Sequence, residues 1–589
     1  MTKNIKTYLA ILTMMAVMIT GCGDRADSQG EAGKKNTNTD LSSIISSSKV
    51  EVDTEFTARD LDVGYEDTTA THITMNGNQA EISGDGAIYK DGKLTISEEG
   101  TYVISGNLED GQILVDGEET DKIQLVLNNA TIHCDENAPI YIKNADKVFI
   151  TLKEGTDNTL TDGKEYVQTD DNTVDGVIFS KADLIINGAG TLNITGSYKH
   201  GIASKDDLII TNGIINITAV KDALNGKDCV KIKAGTFNLS SSTGNGIQSK
   251  NGDDETKGYV YICGGSITIS QCEEGIEGTV VLIEDGTIDI KAEDDGINSA
   301  AGKSSDNSTG EKTGQMASDN SAGEAAGEEI SGNSGRQAPE LPDMPDREMP
   351  EKGLKDMPSE VTMNEGKTDS APNQDTPGSN NRRQGMPGNG HSGGGGEFQA
   401  NENCYILIKG GEIRIDALGD GIDSNGFIYI SGGNLYVSGP ENNGNGGLDY
   451  NGTAQIEGGT VVITGSTGMA QGFSDTSAQY SLLYNLSAVS AGDTPVILKD
   501  SDGKTLVSYE PAKQYQSVVI SSPDMKKDET YTLISGEQTA EIKLTSIVTS
   551  NAQGGMGFPG RQRLQEDQSG QPEQQEQPEQ SEQSEDNQN

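Results

Sequence analysis

The stretch ICGGSITISQCEEGIEGTVVLIEDGTIDIKAEDDGINS, residues 262–299, decides the fold, because it contains two copies of one phrase. Each copy has an isoleucine, a turn with glycine, and then aliphatic residues that alternate with polar ones, as in Ile288 and Ile290. Alternation with a period of two predicts short strands with one buried face, and the glycine predicts the turn between them. The phrase begins at Ile210, Ile232, Ile262, Ile283, Ile408, Ile430 and Ile456.

A second phrase, Gly-Ile-x-Ser or a close variant, opens each repeat, as at Gly246-Ile247, Gly296-Ile297 and Gly421-Ile422. Short strands that recur about every 22 residues are typical of a parallel β-helix, in which each coil buries its inward side chains on its neighbours. A β-sandwich or a propeller would need strand hairpins and longer units. The sequence therefore predicts an all-β chain built around a parallel β-helix.

Composition predicts where the coils lie and where the chain is disordered. Residues 301–402, rich in Gly, Ser, Asn and Pro, predict a disordered insertion that leaves the coils on both sides in register. The tail over 549–589, rich in Gln, Glu, Pro and Ser, is also predicted to be disordered. The coils are predicted over 51–175, where they are irregular and cap the open end, and over 176–300 and 403–469.

The pattern changes after the last coil. Longer alternating strands with a turn at Asp502-Gly503 predict a hairpin and a small all-β cap over 470–548. This region is expected to be a companion to the coils.

Stacked coils align acidic residues into columns at one edge. Neighbouring coils lie about 4.8 Å apart, so stacked carboxylates repel one another and raise one another's pKa. Calcium resolves that conflict, since it accepts about six to eight oxygen ligands. The main predicted nest holds Asp294, Asp295, Asn298, Asp420 and Asp423, a second holds Asp222 and Asn225, and a third holds Asp449 with Asn425. The alternative is that these residues cap turns and form amide ladders.

A third column contains lysines. Lys205, Lys227 and Lys250 stand four residues after the glycine of their coils and are predicted to bind the carboxylates of an acidic polysaccharide. A solvated, outward face is the alternative. If the protein is an enzyme, Lys250 or Lys227 is the candidate general base.

Charge restricts the partners. The chain has 43 Lys and Arg against 92 Asp and Glu, a net charge of −49, which argues against nucleic acid because phosphate binding needs clustered cations. It has no Trp, so Tyr405, Tyr429 and Tyr436 are the candidates for a platform that stacks on neutral sugars. An acidic glycan would be repelled unless a divalent cation bridged the two. No oligomer is predicted.

The N-terminus predicts an export signal. Lys3 and Lys6 precede an apolar run that is too short to span a membrane comfortably. The run ends in Ile19-Thr20-Gly21-Cys22, which resembles the bacterial lipoprotein box. We therefore expect a lipoprotein signal peptide over 1–21, lipidation of Cys22, a disordered tether over 22–50, and a location on the outer side of the cytoplasmic membrane. An ordinary signal peptide with a chance cysteine is the alternative.

The lipoprotein box, the Asp-x-Gly-Ile coils, the Gly/Pro/Met-rich insertion and the all-β C-terminal segment together resemble a known family. It is the bacterial carbohydrate-binding right-handed β-helix family, whose characterised member binds cellulose and polygalacturonate and is related to the family 9 pectate lyases. The resemblance covers about residues 50–548 without the insertion. It implies a right-handed helix and calcium held at Asp294, Asp295, Asn298, Asp420 and Asp423. The related lyases use a lysine beside calcium as base, whereas Lys227 and Lys250 lie outside the coils with the strongest acidic nest.

The sequence thus predicts a lipid-anchored, calcium-carrying β-helix that binds polysaccharide at the cell surface, acidic polysaccharide in preference and cellulose as a possibility. A calcium-dependent polysaccharide lyase is the enzymatic alternative. A structural spacer or adhesin, in which calcium only rigidifies the coils, is the third interpretation.

Overall fold

The computed structural model describes residues 45–302 and 399–552, and these residues confirm the all-β class. Outside them lie Cys22 with the predicted signal peptide, most of the predicted tether, residues 303–398 of the insertion and residues 553–589 of the tail. A single helical turn at 45–47 precedes the strands. Within the described ranges no helix has the length and apolar character that crossing a bilayer requires.

The first part of the chain builds ten strands. No strand occurs before Thr71 among the described residues, although the predicted coil region begins at 51. The strands are β1 (Thr71–Gly77), β2 (Gln79–Ser83), β3 (Ala87–Lys90), β4 (Lys93–Ile96), β5 (Gly100–Leu108), β6 (Gln112–Asp116), β7 (Lys122–Cys134), β8 (Ile140–Asn144), β9 (Lys147–Leu152) and β10 (Asp157–Asp162).

The repeats then supply short strands in groups of three. They are β11 (Gly176–Ser180), β12 (Asp183–Gly188), β13 (Thr191–Thr195), β14 (His200–Ser204), β15 (Asp207–Ile210), β16 (Ile214–Ala219), β17 (Leu224–Gly226), β18 (Cys229–Ile232), β19 (Thr236–Ser241), β20 (Ile247–Ser249), β21 (Tyr259–Ile262), β22 (Ser266–Gln271), β23 (Ile276–Gly278), β24 (Val280–Ile283), β25 (Thr287–Ala292), β26 (Ile297–Ser299), β27 (Tyr405–Ile408), β28 (Glu412–Ala417), β29 (Ile422–Ser424), β30 (Phe427–Ile430), β31 (Asn434–Ser438), β32 (Asp449–Tyr450), β33 (Ala454–Ile456) and β34 (Thr460–Gly465).

Every group contributes one strand to each of three parallel ladders. Ladder 1 runs through β11, β14, β17, β20, β23, β26, β29 and β32, ladder 2 through β12, β15, β18 and onward to β33, and ladder 3 through β13, β16, β19 and onward to β34. The chain visits the three ladders in the same order in each repeat. The sequence phrases therefore correspond to long parallel sheets, in which each repeat hydrogen-bonds to the next.

Aliphatic side chains from all three ladders meet in one continuous core. Ile297 of ladder 1, Ile283 of ladder 2 and Ile288 of ladder 3 are all fully buried in it. Burial of one such side chain stabilises the fold by about 1.5–3 kcal/mol. The turn between ladders 2 and 3 requires glycine, since Gly286 has φ 125° and its added Cβ would lie 3.1 Å from the carbonyl oxygen of Gly265.

The strands on the two sides of the insertion pair directly. Val280 of β24 lies opposite Tyr405 of β27, Thr287 of β25 opposite Glu412 of β28, and β26 pairs with β29. The predicted continuity of register across the insertion is confirmed. The acidic residues before and after it are consequently neighbours in space.

Three C-terminal strands extend the sheet that contains ladder 3, and four others form a separate third sheet. They are β35 (Ser481–Ser490), β36 (Val496–Lys499), β37 (Thr505–Tyr509), β38 (Tyr515–Ser521), β39 (Thr530–Ser535), β40 (Gln538–Lys543) and β41 (Val548–Ser550). The hairpin predicted at Asp502-Gly503 is confirmed, because β36 and β37 pair antiparallel around it. β38 pairs antiparallel with β34, which joins this region to ladder 3.

Residues 48–62 cross the outer face of ladder 2 without forming a strand and include a turn at 58–61. Phe56 stacks on Tyr261 with ring centroids 6.0 Å apart, and Asp53 pairs at 2.8 Å with Lys231, whose side chain is 2% exposed. On the same face Tyr405 and Tyr429 are buried. Of the two roles that the sequence allows for these tyrosines, a stacking platform and packing within the strands, the structure shows packing.

Candidate functional site

The outward face of ladder 1 holds one continuous column of side chains, which is polar from Asn225 onward. Each strand buries its flanking residues in the core and turns its middle residue the other way. The strand register confirms the column that the sequence predicts, which consists of Ala203, Asn225, Gln248, Glu277, Asn298, Asp423 and Asp449. Along this column the side chains change from apolar through amide to carboxylate.

Three carboxylates meet where the column becomes acidic. Oxygen atoms of Asp295, Asp420 and Asp423 all lie within 4.8 Å of one another. The turns that carry them stack directly, since the backbone N–H of Asp420 donates to Asp295 Oδ1 at 2.6 Å, and that of Gly446 donates to Asp420 Oδ1 at 2.5 Å. The insertion separates Asp295 from the other two in sequence, and the register across it brings them together.

Glycine makes this close approach possible. A Cβ atom on Gly419 would lie 2.6 Å from Asp295 Oδ1 and 2.3 Å from Asp294 Oδ1. Both distances are shorter than carbon and oxygen tolerate without bonding. Asp294 itself is exposed at the rim, so of the five predicted ligands it lies farthest toward solvent.

Asn298 adds an amide oxygen with no partner. The residue is 7% exposed and lies opposite Asp423, and its Nδ2 donates to Glu274 Oε1 at 3.2 Å. Its Oδ1 is buried without a hydrogen bond to the described part of the chain. A buried acceptor without a donor is costly, so this oxygen needs a proton donor or a cation.

The raised pKa values of the clustered carboxyl groups also favour a bound proton or cation. Burial, and then the neighbouring Asp294, Asp420 and Asp423, raise the pKa of Asp295 to about 9. Burial, with Asp420, Asp449 and Glu274, raises the pKa of Asp423 to about 8, and burial raises that of Asp420 to about 6. Asp295 and Asp423 therefore hold protons near neutral pH unless a cation replaces them.

Two glutamates that the sequence analysis did not select complete the site. Glu277, 3% exposed, accepts hydrogen bonds from Asn245 at 2.7 Å and from Gln248 at 2.6 Å, and it pairs with Lys250. Burial raises the pKa of Glu274, against the lowering effect of Lys250. Both glutamates stand in the predicted columns of Asp295 and Asn298, one repeat earlier, but the predicted calcium nests did not include them.

The predicted nest of Asp222 and Asn225 has protein partners instead. Asp222 Oδ2 lies 3.2 Å from His200 Nδ1 and accepts from Asn225 Nδ2 at 2.5 Å, while its Oδ1 accepts from the backbone N–H of Asn245 at 2.9 Å. Burial alone would raise the pKa of Asp222, but His200 and these hydrogen bonds lower it. The two residues lie together, both carboxylate oxygens of Asp222 accept hydrogen bonds from the chain, and calcium at this nest stays a prediction.

Asp449 lies opposite Asp423, next to the main cluster. It accepts a hydrogen bond from Gln471 and another, at 2.9 Å, from the backbone N–H of Tyr450. Asn425 accepts a hydrogen bond from Asn451 at 3.3 Å, and its predicted pairing with Asp449 in a calcium site stays a prediction.

Each predicted lysine has a carboxylate partner. Lys205 pairs with Asp175 at 3.2 Å, Lys227 with Asp253 at 2.6 Å, and Lys250 with Glu277. The structure brings only Lys250 to the acidic cluster, through Glu277. Lys205 and Lys227 line the same edge of ladder 1 farther away, with about a third of each side chain exposed.

A second acidic group lies outside ladder 1. Carboxylates of Asp183, Asp206 and Asp207 also approach within 4.8 Å of one another, but Lys147 pairs with Asp183 at 3.2 Å. Burial and the other carboxylates raise the pKa of Asp206 to about 6. Lys147 therefore places an ammonium group directly on this second acidic group. In the main cluster, the ammonium group of Lys250 contacts Glu277 instead.

Comparison with known proteins gives three likenesses. The model of a family described as carbohydrate-binding domain-containing proteins matches residues 90–338. A carbohydrate-binding domain-containing protein of Acetivibrio thermocellus is 39% identical over 210 residues, which are 35% of this chain and 72% of that protein. A solved structure of a polysaccharide lyase-like protein from C. thermocellum, a gadolinium derivative, is 32% identical and covers 40% of this chain and 93% of its own, with a TM-score of 0.36.

Proposed function

Because the chain belongs to the family of carbohydrate-binding domain-containing proteins, we propose that it binds acidic polysaccharide through calcium held at Asp295, Asp420 and Asp423. The observation that carries the proposal is the convergence of these three carboxylates beside the unpartnered Oδ1 of Asn298. All donors at this site are oxygen atoms, which is the ligand set of calcium. Family membership supports carbohydrate as the ligand, and the acidic site supports acidic sugars bound through calcium.

Bound calcium would neutralise the cluster and offer open coordination positions to a sugar carboxylate. On a chain with net charge −49, direct approach of a polyanion is repulsive, so binding without a bridging cation is disfavoured. Lys250, held at the edge of the cluster by Glu277, is the nearest cation for the next sugar carboxylate. Lys227 and Lys205 continue that edge along ladder 1.

The proposal includes the setting of the site. The three ladders close into a right-handed parallel β-helix, and Cys22 carries lipid that anchors the protein to the outer side of the cytoplasmic membrane. The core shared by all three ladders supports the closed helix. The lipoprotein box supports the anchor, and a Cys22→Ala variant that still partitions wholly into membranes would contradict it.

The direct test is retention of the full chain on immobilised polygalacturonate, with calcium and with chelator. We expect retention in calcium only, and its loss in Asp295→Asn/Asp423→Asn. The matched control is Asp285→Asn/Asp289→Asn, which removes two exposed carboxylates outside the cluster and should retain binding. Equal retention of all three proteins in chelator would overturn the calcium bridge, and no retention of the native chain would favour a structural role.

A polysaccharide lyase is the second candidate, and the position of Lys250 beside the cluster favours it. Lyase chemistry needs a neutral amine to remove the C5 proton. An ammonium group that is paired with buried Glu277 has no free lone pair for that proton, which is why binding is the main proposal. Release of 4,5-unsaturated product, abolished in Lys250→Ala and retained in Lys227→Ala, would establish the lyase instead.

A further inference from the structure

The outward face of ladder 1 has lysines on a second edge, which the proposed calcium site does not include. Two residues before the Gly-Ile or Ala-Leu pair, successive coils place Lys199, Lys221, Gly244, Glu273, Asp294 and Gly419. Backbone hydrogen bonds stack these turns, as from the N–H of Lys221 to the carbonyl oxygen of Lys199 at 2.8 Å. We name Lys199 and Lys221 the second lysine edge, because the central column of ladder 1 separates them from Lys205 and Lys227.

Uncharged groups hold the ammonium groups of the second lysine edge. Lys199 Nζ lies 5.2 Å from the ring centroid of Tyr198, and that ring stacks on Tyr166 with the two centroids 4.3 Å apart. Lys221 Nζ donates to the carbonyl oxygen of Thr243 at 3.0 Å. An aromatic ring and a carbonyl oxygen orient an ammonium group without neutralising its charge.

The two lysine edges therefore differ in their partners. Each lysine of the first edge has a carboxylate partner, whereas within the described residues neither Lys199 nor Lys221 forms an ion pair. Asp222 follows Lys221 in the chain, but its oxygens accept from Asn225 at 2.5 Å and from the backbone N–H of Asn245 at 2.9 Å. The second edge keeps its positive charge on a chain whose net charge is −49.

Charge changes sign along the ladder 1 face. Both edges carry lysines in the earlier coils, and on the second edge Glu273 and Asp294 take their place in the later ones. The turn of Lys221 and the turn of Asp295 are three coil spacings apart, roughly 14 Å at the strand spacing. One extended polysaccharide chain can therefore lie over the lysines and over the carboxylate cluster at the same time.

We propose that Lys199 and Lys221 bind carboxylates of the acidic polysaccharide directly, on the same chain whose other carboxylates meet calcium at the Asp295 cluster. This inference rests on the proposed function and adds a metal-free subsite to it. In an extended polyuronate, successive carboxylates project to alternate sides of the chain, so lysines on both edges reach more of them than lysines on one edge. Each contact is a charge-assisted hydrogen bond from an ammonium group to a carboxylate.

Ligand length separates this subsite from the calcium site. The two carboxylates of digalacturonate are one sugar apart, so a molecule at the Asp295 cluster does not reach the coil of Lys221 roughly 14 Å away, whereas hexagalacturonate does. Lys199→Gln/Lys221→Gln should therefore weaken binding of the hexamer in calcium about threefold to tenfold. It should leave binding of digalacturonate unchanged. Calorimetric titration of the full chain measures both affinities.

Two control variants and the salt dependence make the result specific. Lys199→Arg/Lys221→Arg keeps both charges and should bind the hexamer as the native chain does. Lys526→Gln/Lys527→Gln removes two charges from exposed positions of the C-terminal region and should also bind normally. Added salt should weaken hexamer binding less in Lys199→Gln/Lys221→Gln than in the native chain, because salt screens exposed charges.

A single change serves if the double variant does not fold. Lys221→Glu alters one exposed position and should weaken hexamer binding about threefold or more, again without effect on digalacturonate.

The outcomes distinguish the subsite from the proposed function. If the native chain binds neither oligomer in calcium, the proposed function is wrong and the subsite with it. If hexamer binding needs calcium but Lys199→Gln/Lys221→Gln binds the hexamer as tightly as the native chain, only the subsite is wrong. Equal weakening of hexamer and digalacturonate, or equal weakening in the Lys526 control, would also overturn the subsite.

Discussion

The two ends of the ladder 1 edge each bury a carboxylate, and the chain stabilises its charge at one end only. Asp222 and Asp295 stand at equivalent positions just before the Gly-Ile or Ala-Leu pair of their coils. Around Asp222 the chain provides an imidazole, a carboxamide and a backbone N–H, and the pKa is lowered. Around Asp295 it provides further carboxylates, and the pKa rises to about 9.

The comparison separates two kinds of carboxylate. Asp222 stabilises its own turn, whereas Asp295 has no stabilising role that its contacts with the chain explain. A carboxylate whose oxygens all accept from the chain is a structural element of its turn. A cluster of carboxylates that the chain does not neutralise lowers the stability of the fold. In the proposed function, calcium supplies the neutralising charge at Asp295, Asp420 and Asp423.

The largest expected effect on the free energy of unfolding is at Asp222, whose charge the chain itself stabilises. Asp222→Ala removes the carboxylate beside the imidazole of His200 and takes one acceptor each from the amide of Asn225 and the N–H of Asn245. We expect the free energy of unfolding to fall by about 3–5 kcal/mol, as for other broken buried pairs. Denaturant unfolding measures it, and the loss should be the same with calcium and with chelator. A loss that appears in calcium alone would assign Asp222 to a metal site.

At the acidic end the expected effect depends on the cation. Calcium at a hundredfold excess over its Kd should stabilise the native chain by about 2.7 kcal/mol, and Asp295→Asn/Asp423→Asn should abolish that gain. In chelator the same variant should be at least as stable as the native chain, because two repelling carboxyl groups are gone. Thermal unfolding with and without calcium measures both. A native chain that melts identically in the two conditions would show that the cluster only caps turns.

The third effect is a pH dependence that calcium reverses. Asp295, Asp423 and Asp420 have folded pKa values of about 9, 8 and 6, above the value of about 3.9 for an unfolded Asp. The folded chain therefore binds more protons than the unfolded chain between about pH 4 and pH 9, and in chelator its stability should fall as the pH rises through that window.

Calcium should cancel this loss at high pH, since its ligands must be deprotonated. The measurement is the midpoint of urea unfolding at pH 5.5 and pH 8, with chelator and with calcium. Asp222, whose pKa is lowered, contributes in the opposite direction and only in acid. Stability in chelator that increases from pH 5.5 to pH 8 would contradict the shifts at the acidic end.

The sequence predicted this edge well because its geometry follows from the repeat. The column of Asn225, Gln248, Glu277, Asn298 and Asp423 depends only on which residue of each coil follows the Gly-Ile pair, and the ladder register preserves that alignment. Continuity across the insertion also followed, because the phrases on both sides have the same spacing.

The contacts that the sequence did not predict involve segments outside the repeated strands. The partners Asp175 and Asp253 of the lysines lie in loops between strands, whose paths no period describes. The burial of Tyr405 and Tyr429 comes from the apolar face that residues 48–62 help to cover, and that segment has no strand pattern. His200 occupies the column position of an acid, and its role is visible only from the distances to Asp222.

The smallest expected effect on stability distinguishes ligand binding from structure along the same edge. The ion pair of Lys227 with Asp253 is exposed, with 35% and 74% of the two side chains accessible, so Lys227→Ala should cost less than about 1 kcal/mol of unfolding free energy. If Lys227 also binds sugar carboxylates, the variant should lose calcium-dependent retention on polygalacturonate severalfold despite that stability. Asp253→Ala, which frees the same ammonium group, should retain or strengthen binding. Should both variants bind as the native chain does, the lysine column is a solvated face, and recognition of acidic sugar rests on the Asp295 cluster with Lys250.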